Sequence, residues 1–329
     1  MKGEVEPLLS GAAAEALGII SVNKDADVLR STTVVDDEVN QVFMSKYPSI
    51  FQGVGKKKNY QVKYHIDPTV PPVASPKRTI PYHLEPQFDK EVEIMEKAGV
   101  IEDHEGPAPW ISNPVLVPKP DGGLRFTIDM REPNKAILDT GLPIPKPEDI
   151  RKEFVGCKFF TKMDFKTAFH QLELDEESRV LTVFPHKGKL KRHTRLSMGT
   201  KPASGELNKA LRPLFSGIPE AHIVHDDLVV ATATEDEHFA ALDRVLQVIA
   251  EANLTLNPGK CDFMKKSIHF WGMIISGEGV TPDPSKVQAL REATRPENKA
   301  ELICRFCACC NPTPNLFPNS LRKQRNFGN

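Results

Sequence analysis

The chain has 329 residues, of which 40% are hydrophobic, so it is long and apolar enough for one large domain or two ordinary ones. Its formal net charge is −1, so a nucleic-acid partner cannot be argued from global charge and must be sought in local patches. No apolar run is long enough to span a bilayer and no secretory leader opens the chain. We therefore expect an intracellular protein that is not secreted and has no membrane partner.

The N-terminal part of the sequence predicts little compact structure. Residues 1–42 carry a small-residue helix signal and then turn acidic. Residues 43–86 are rich in proline, which predicts an extended segment. The run Lys56-Lys57-Lys58 within it is more typical of a solvated face than of a nucleic-acid site. Apolar residues at helical spacing from Phe88 to Gly99 then predict an amphipathic helix.

A basic hairpin is predicted next. Residues 114–131 have the pattern of strand, turn and strand, with Pro120-Asp121-Gly122-Gly123 as the turn. Lys119 and Arg125 flank this turn, and such bases are suited to holding phosphate. The turn lacks the G-x-x-x-x-G-K-[ST] pattern, which excludes a Walker-type ATPase. An exposed basic hairpin without a ligand is the alternative.

Three carboxylates lie where apolar, strand-like runs end. Asp164 closes the run that starts at Lys158, and Asp226 and Asp227 lie between two apolar runs, as at the turn of a β-hairpin. Carboxylates that meet at strand ends are costly unless a cation neutralises them. Mg²⁺ prefers a few carboxylates with water and substrate phosphates, so the three acids predict phosphoryl or nucleotidyl transfer. Taken alone, the Asp pair favours an ordinary surface hairpin.

The remaining pattern alternates helices and strands. Apolar stripes predict helices over residues 203–215 and 235–252, and residues 268–275 predict a second hairpin. A strand is expected from His170 to Leu174. The triplet Asp139-Thr140-Gly141 matches aspartic proteases, but it lies in a loop and is interpreted as a turn.

Five blocks of sequence occur in a characteristic order. They are DFKTAFHQ from Asp164, LELDEESRVLTVF from Leu172, RLSMGTKPA from Arg195, IVHDDLVV from Ile223 and LTLNPGKCDF from Leu254. Their order and spacing resemble reverse transcriptases, and most closely the gypsy type of LTR retrotransposon, over about residues 47–293. The resemblance implies an α+β fold of the right-hand polymerase type: palm and fingers, an antiparallel palm sheet backed by helices, and a truncated or degenerate thumb.

The same resemblance divides the chain. Residues 1–42 would be a linker or remnant between protease and polymerase, 43–157 the N-terminal arm and fingers, 158–293 the palm, and 294–329 a degenerate Cys/Pro-rich tail. The tail holds four of the six cysteines, Cys304, Cys307, Cys309 and Cys310. Their crowding does not suit a structural zinc site, which separates two ligand pairs by a longer segment. The tail indicates a frame change, a mispredicted exon or decay, without ribonuclease H or integrase.

A reverse transcriptase is an RNA-directed DNA polymerase. The resemblance therefore implies extension of a primer 3′-hydroxyl on an RNA or DNA template, with dNTPs as substrates, in the cytoplasm, a virus-like particle or the nucleus. Asp164, Asp226 and Asp227 would hold two Mg²⁺ ions, which Mn²⁺ could replace. Lys260 would protonate the pyrophosphate leaving group.

Further positions match family sites for nucleotide and primer. Lys119 and Arg125 would hold the triphosphate, and Phe169 would exclude a 2′-hydroxyl, although a core aromatic is the alternative there. Met198 would lie beside the incoming nucleotide. Trp271 and Gly272 match the primer grip.

Several positions depart from the family pattern. Ser197 replaces the usual proline, and Pro202-Ala203 inverts the usual order. Val224 stands where the family commonly has an aromatic residue. His225 follows it and is interpreted as a half-exposed histidine in a turn rather than as a base that switches its protonation state. These departures keep open a catalytically inactive remnant that at most binds nucleic acid. An unrelated metal-dependent phosphodiesterase is a second alternative, and the oligomeric state stays open.

Overall fold

A computed structural model describes residues 42–119, 122–139, 152–224, 226–270 and 272–284. The α-helices with both ends inside these ranges are α1 (Glu85–Lys97), α2 (Pro133–Ala136), α3 (Glu176–Arg179), α4 (Ala203–Phe215) and α5 (Glu235–Glu251). The strands are β1 (Gln61–Val62), β2 (Ile101–Asp103), β3 (Pro114–Pro118), β4 (Leu124–Ile128), β5 (Phe159–Asp164), β6 (Glu173–Leu174), β7 (Phe184–His186), β8 (Lys189–His193), β9 (Ala221–Val224), β10 (Asp227–Thr232), β11 (Asp262–Lys265), β12 (Ser267–Phe270), β13 (Met273–Ser276) and β14 (Gly279–Pro282).

The central feature is a four-stranded antiparallel sheet in the order β11-β5-β10-β9. Residues 228–232 of β10 are all buried, because both faces of the strand are covered. Leu228 and Val230 face the main core, whereas Val229 and Ala231 face a smaller cluster that includes Phe270. Successive side chains of a strand point to opposite faces, so this one strand contributes to two apolar layers.

Helices α4 and α5 back the main-core face of this sheet. The Thr234 hydroxyl accepts from the Glu237 backbone N–H, and the Glu237 carboxylate accepts from the Thr234 N–H, so a capping box starts α5. The buried stripe of α5 comprises Phe239, Leu242, Val245, Leu246 and Ile249. Both helices and the antiparallel sheet confirm the predicted palm architecture. No helix among the described residues is long and apolar enough to cross a membrane.

The part of the chain that precedes the central sheet is built around α1 and two smaller sheets. Phe88 on α1 packs against Phe126 on β4 with ring centroids 5.1 Å apart, and Phe126 lies 5.2 Å from Phe184 on β7. These contacts join α1, the β3–β4 hairpin and the β2-β8-β7 sheet. The predicted helix and hairpin in this region are therefore confirmed.

The prediction of a strand over residues 170–174 was mostly wrong. Thr167 has φ +46°, and residues 168–171 form a 3₁₀ turn, so only Glu173 and Leu174 make a strand. The Gln171 side chain donates to the carbonyls of Lys166 and Thr255 and accepts from the Thr255 N–H. These distant contacts satisfy the local polar groups without a strand ladder, and the short periodic run could not reveal them.

Candidate active site

The three predicted acids come together at one end of the central sheet. Asp164 is the last residue of β5 and Asp227 the first of β10, and the two are direct cross-strand partners. Asp226 is exposed in the turn between β9 and β10, and its carbonyl accepts from the Phe165 N–H at 3.4 Å. The sequence placed both members of the Asp pair in the turn, whereas Asp227 in fact starts the strand. This register aligns Asp227 with Asp164.

Burial and mutual repulsion shape the electrostatics of the site. Burial raises the pKa of Asp164, and the negative charge of Asp226 adds to the rise, while Lys260 opposes it. Burial likewise raises the pKa of Asp227, with contributions from Asp226 and Asp164 and with Lys162 in opposition. The ionised forms of Asp164 and Asp227 are therefore less stable at this site than they would be in water.

Two lysines contact these acids. The Lys260 ammonium lies 3.5 Å from Asp164 Oδ2. The Lys162 ammonium lies 3.4 Å from Asp227 Oδ1, and Lys162 was not among the predicted site residues. Its position was available in the sequence, because residues two apart on a strand share a face and Lys162 precedes Asp164 by two.

The donor set suits a hard divalent cation. Carboxylate oxygens are the ligands that Mg²⁺ prefers, and here two carboxylates lie at adjoining strand ends with a third in the neighbouring turn. In the described parts of the chain, no three His, Cys, Asp or Glu side chains are grouped closely enough to form a metal site as they stand. The fit to Mg²⁺ rests on the chemistry of the three carboxylates and on their place at one end of the sheet, because their side chains do not already form a metal site.

The β3–β4 hairpin presents the two predicted phosphate-binding bases. Lys119 and Arg125 are exposed near its tip, and neither forms an ion pair with another described residue. The Lys119 N–H donates to the Gly123 carbonyl at 2.8 Å, which closes the turn. The structure does not bring either base into contact with the acids. At the other end of the hairpin, Thr127 Oγ1 donates to the Met198 carbonyl at 3.3 Å.

The remaining predicted residues occupy separate positions around the acids. Phe169 is half-buried, packs against the main core and lies in the turn that follows β5. Met198 is half-buried beside the hairpin base. Gly272 has φ +71°, which favours glycine, and its carbonyl accepts from the Asp283 N–H. Trp271 and His225 lie outside the described residues, as do residues 1–41 and 285–329.

Two departures from the family pattern have clear structural settings. Val224 is 0% exposed and packs with Phe160 and Phe270 in the smaller apolar cluster. Ser197 is buried, and its carbonyl accepts from Thr200 Oγ1 just before α4 begins. Helix α4 still forms, because its apolar face is intact.

An antiparallel sheet that carries three acids at one end, is backed by two helices and is joined to a basic hairpin defines the palm and fingers of a nucleic-acid polymerase. A family model described as "Reverse transcriptase (RNA-dependent DNA polymerase)" matches residues 117–275. The chain belongs to the reverse transcriptase family, as a fragment of a retrotransposon Pol polyprotein.

Curated relatives place it among retrotransposon sequences. The chain is 31% identical over 240 residues to the Pol polyprotein from transposon 297 of Drosophila melanogaster, covering 70% of this chain and 22% of that protein. It is also 31% identical over 177 residues to the Pol polyprotein from transposon gypsy of the same organism, covering 53% and 17%. The chain therefore spans about a fifth of the length of these relatives.

Solved structures confirm the fold. A foamy viral protease-reverse transcriptase in complex with dsDNA matches with a TM-score of 0.76 and 22% identity, covering 97% of this chain and 65% of that one. The same kind of protein in complex with RNA/DNA hybrid matches with a TM-score of 0.75 and 21% identity, covering 97% and 43%. At this identity the likeness shows the α+β polymerase fold.

Proposed function

We propose that this chain performs RNA-directed DNA synthesis, extending a primer 3′-hydroxyl with dNTPs on an RNA or DNA template. The observation that carries the proposal is the direct pairing of Asp164 with Asp227, with Asp226 in the adjoining turn. These three acids would hold two Mg²⁺ ions. When bound, such ions activate the attacking hydroxyl and stabilise the leaving oxygen.

Residues outside the acid cluster would orient the substrates. Lys119 and Arg125 would close over the triphosphate from the hairpin, Arg125 as a forked donor and Lys119 as a point charge. Phe169, at the start of the palm, would exclude a 2′-hydroxyl by its bulk, and Met198 would border the nascent base pair. Lys260 would donate a proton to the pyrophosphate. Its 3.5 Å contact with Asp164 supports this role, because it keeps the ammonium close to the acids.

The nucleic-acid partner would run between fingers and palm. We assign residues 43–157 to the arm and fingers and 158–293 to the palm, with Trp271 and Gly272 gripping the primer end. The foamy viral neighbours were solved with dsDNA and with RNA/DNA hybrid, which supports the same class of partner here. As a retrotransposon polymerase, the protein would act inside the cell, in the cytoplasm, a virus-like particle or the nucleus.

Primer extension tests the proposal. Purified protein is given a DNA primer on an RNA template with dNTPs and Mg²⁺, and Asp226→Asn is compared with the wild type. We expect templated extension by the wild type and a loss of at least about 100-fold in the variant. Glu251→Gln, which neutralises an exposed acid at the end of α5, is the matched control and should extend normally.

A second arm tests metal binding without catalysis. A cation that binds only the folded protein stabilises it, by about 2.7 kcal/mol at 100 times its dissociation constant. Mg²⁺ should therefore raise the melting temperature of the wild type and of Glu251→Gln, and raise that of Asp226→Asn less. Equal shifts in all three proteins would contradict the metal site.

A second candidate function is a catalytically inactive remnant that at most binds nucleic acid. Val224 favours it, because this chain has a buried valine where family members commonly carry an aromatic residue. It predicts binding of an RNA/DNA hybrid by folded protein without extension. Hybrid binding together with extension that Asp226→Asn loses would exclude it. The family match leaves the unrelated phosphodiesterase without support.

A further inference from the structure

Lys162 makes two contacts that join separate parts of the palm. Its ammonium lies 3.4 Å from Asp227 Oδ1 and 3.5 Å from the carbonyl oxygen of His269 on β12. The first partner belongs to the acid cluster. The second lies in the β12–β13 hairpin, whose turn holds Gly272.

The position of Lys162 on the central strand makes this double contact possible. Lys162 pairs with Val229 of β10 on one side and with Asp262 of β11 on the other, so its backbone is fixed within the sheet. Strand β12 lies beside β5, which brings the His269 carbonyl within reach of the lysine side chain.

The surroundings of Lys162 distinguish it from an ordinary surface lysine. Its side chain is 24% exposed and that of Asp227 is 19% exposed, so solvent screens this pair less than the many exposed ion pairs of the chain. An ammonium has three donors, and here it lies within 3.5 Å of two acceptors. Holding a long side chain in one geometry costs entropy, which these two contacts offset.

We infer that Lys162 is a positioning residue that ties the Asp227 carboxylate to the β12–β13 hairpin. The hairpin would hold the primer end, and the acids would act on the 3′-hydroxyl of that primer. The distance between the hairpin and the acids must therefore be kept within a fraction of an ångström. Lys162 touches neither primer nor nucleotide in this scheme and acts through Asp227 and His269. The inference rests on the proposed function, whereas its first test does not.

The first test follows the backbone in the absence of metal and substrate. Hydrogen–deuterium exchange is measured by mass spectrometry on peptides covering residues 267–276, in EDTA, for wild type and Lys162→Met. Methionine keeps most of the length of the side chain and removes its charge and its donors. We expect exchange in the hairpin to rise roughly 3- to 10-fold, because its tie to the central sheet is lost.

Two further variants serve as controls for that test. Lys158→Met removes an exposed lysine just before β5 that has no ion pair with the acids, and it should leave hairpin exchange unchanged. Lys162→Arg retains the charge and the donors, and it should restore most of the protection. Circular dichroism and thermal unfolding verify that each variant is folded.

The second test separates positioning from binding. In single-turnover extension, Lys162→Met should lower the maximal rate about 10-fold or more, while the affinity for the primer–template changes less than about 3-fold. Lys162→Arg should recover most of the rate. A lysine that only stabilised the fold would not produce this split between rate and affinity.

The outcomes are distinct. Unchanged hairpin exchange in Lys162→Met overturns the inference, as does a loss of primer–template affinity that accounts for the whole rate effect. If the wild type shows no extension, the proposed function fails, and the exchange experiment alone then decides whether Lys162 holds the hairpin.

Discussion

Asp164 and Asp227 are direct partners across β5 and β10, and their side chains are only 16% and 19% exposed. Burial, with the charge of Asp226, raises the pKa of both carboxyls. A raised carboxyl pKa means that the folded protein binds protons more tightly than the unfolded chain. Stability therefore falls as the pH rises through the interval between the unfolded and folded pKa values, and the cost is complete once the pH exceeds the folded pKa values.

Asp227→Asn should for this reason stabilise the metal-free protein while it reduces extension. Like charges directly opposite on a sheet cost about 0.2–1 kcal/mol, so we expect a gain of that size at pH 7, seen as a higher melting temperature in EDTA. The advantage should shrink as the pH is lowered toward the unfolded carboxyl pKa, because the wild-type acids are then protonated. A lower melting temperature for the variant at pH 7 would show that the Lys162 contact outweighs the repulsion.

Val224→Tyr should destabilise the protein rather than improve it, although family members carry an aromatic residue at this place. Val224 is 0% exposed against Phe160 and Phe270, so a larger ring must displace neighbours. Overpacking of this kind costs about 1–3 kcal/mol, which urea unfolding would measure.

Val155→Tyr provides the control for this substitution, since Val155 is 83% exposed and a tyrosine there should leave stability unchanged. If Val224→Tyr instead keeps wild-type stability and extends faster, the side chain reaches the primer and the packing argument is wrong.

Sequence patterns predicted those helices and hairpins that are determined by residues close together in the chain. The apolar spacing around Phe88 predicted α1, and the apolar stripe over residues 235–252 predicted α5. The hairpins followed from turn residues between apolar runs. The strand-end positions of Asp164 and of the pair Asp226-Asp227, together with the family blocks, predicted that the three acids meet at one end of a sheet, where Asp164 and Asp227 are indeed partners.

Long-range contacts set the limits of that reasoning. The turn at residues 168–171 depends on Gln171 binding Thr255, which lies 84 residues away. Lys162 was missed because its partner His269 is 107 residues away, although its spacing from Asp164 gave a usable signal. A periodic run of a few residues does not encode such partners.

Two buried histidines should respond differently to removal. His238 bonds Thr161 Oγ1 at 2.8 Å and Thr232 Oγ1 at 2.9 Å, whereas the ring nitrogens of His193 have no hydrogen-bond partner among the described residues. His238→Phe should therefore lose about 1–3 kcal/mol at pH 7. His193→Phe should lose little, because it keeps the aromatic contacts with Phe126 and Phe184.

Acid should widen the contrast between His193→Phe and the wild type. Burial lowers the pKa of His193 to about 3 and that of His238 to about 4. A histidine whose folded pKa is below its unfolded value contributes stability that is complete above the unfolded pKa and is lost as the pH falls from there toward the folded pKa. His193→Phe should thus lose less melting temperature between pH 7 and 5 than the wild type, and an identical loss would contradict the argument.

Gly55 lies where the segment before α1 crosses residues 253–255 and the turn at Gln171, and Gly55→Ala should be costly. A Cβ there would lie 2.6 Å from Gln171 Oε1, 2.7 Å from the Asn253 carbonyl and 2.9 Å from the Thr255 nitrogen. Two of these atoms are backbone and cannot move alone, so we expect about 1–3 kcal/mol of destabilisation in urea unfolding. Gly217→Ala is the matched control, because nothing lies within 4 Å of its Cβ position, and it should unfold like the wild type.

Since Gln171 lies in the same turn as Phe169, Gly55→Ala should also slow extension at temperatures where it remains folded. Equal stability of the two alanine variants would show that the arm can shift away from the palm, and the close contact at Gly55 would then carry no energetic weight.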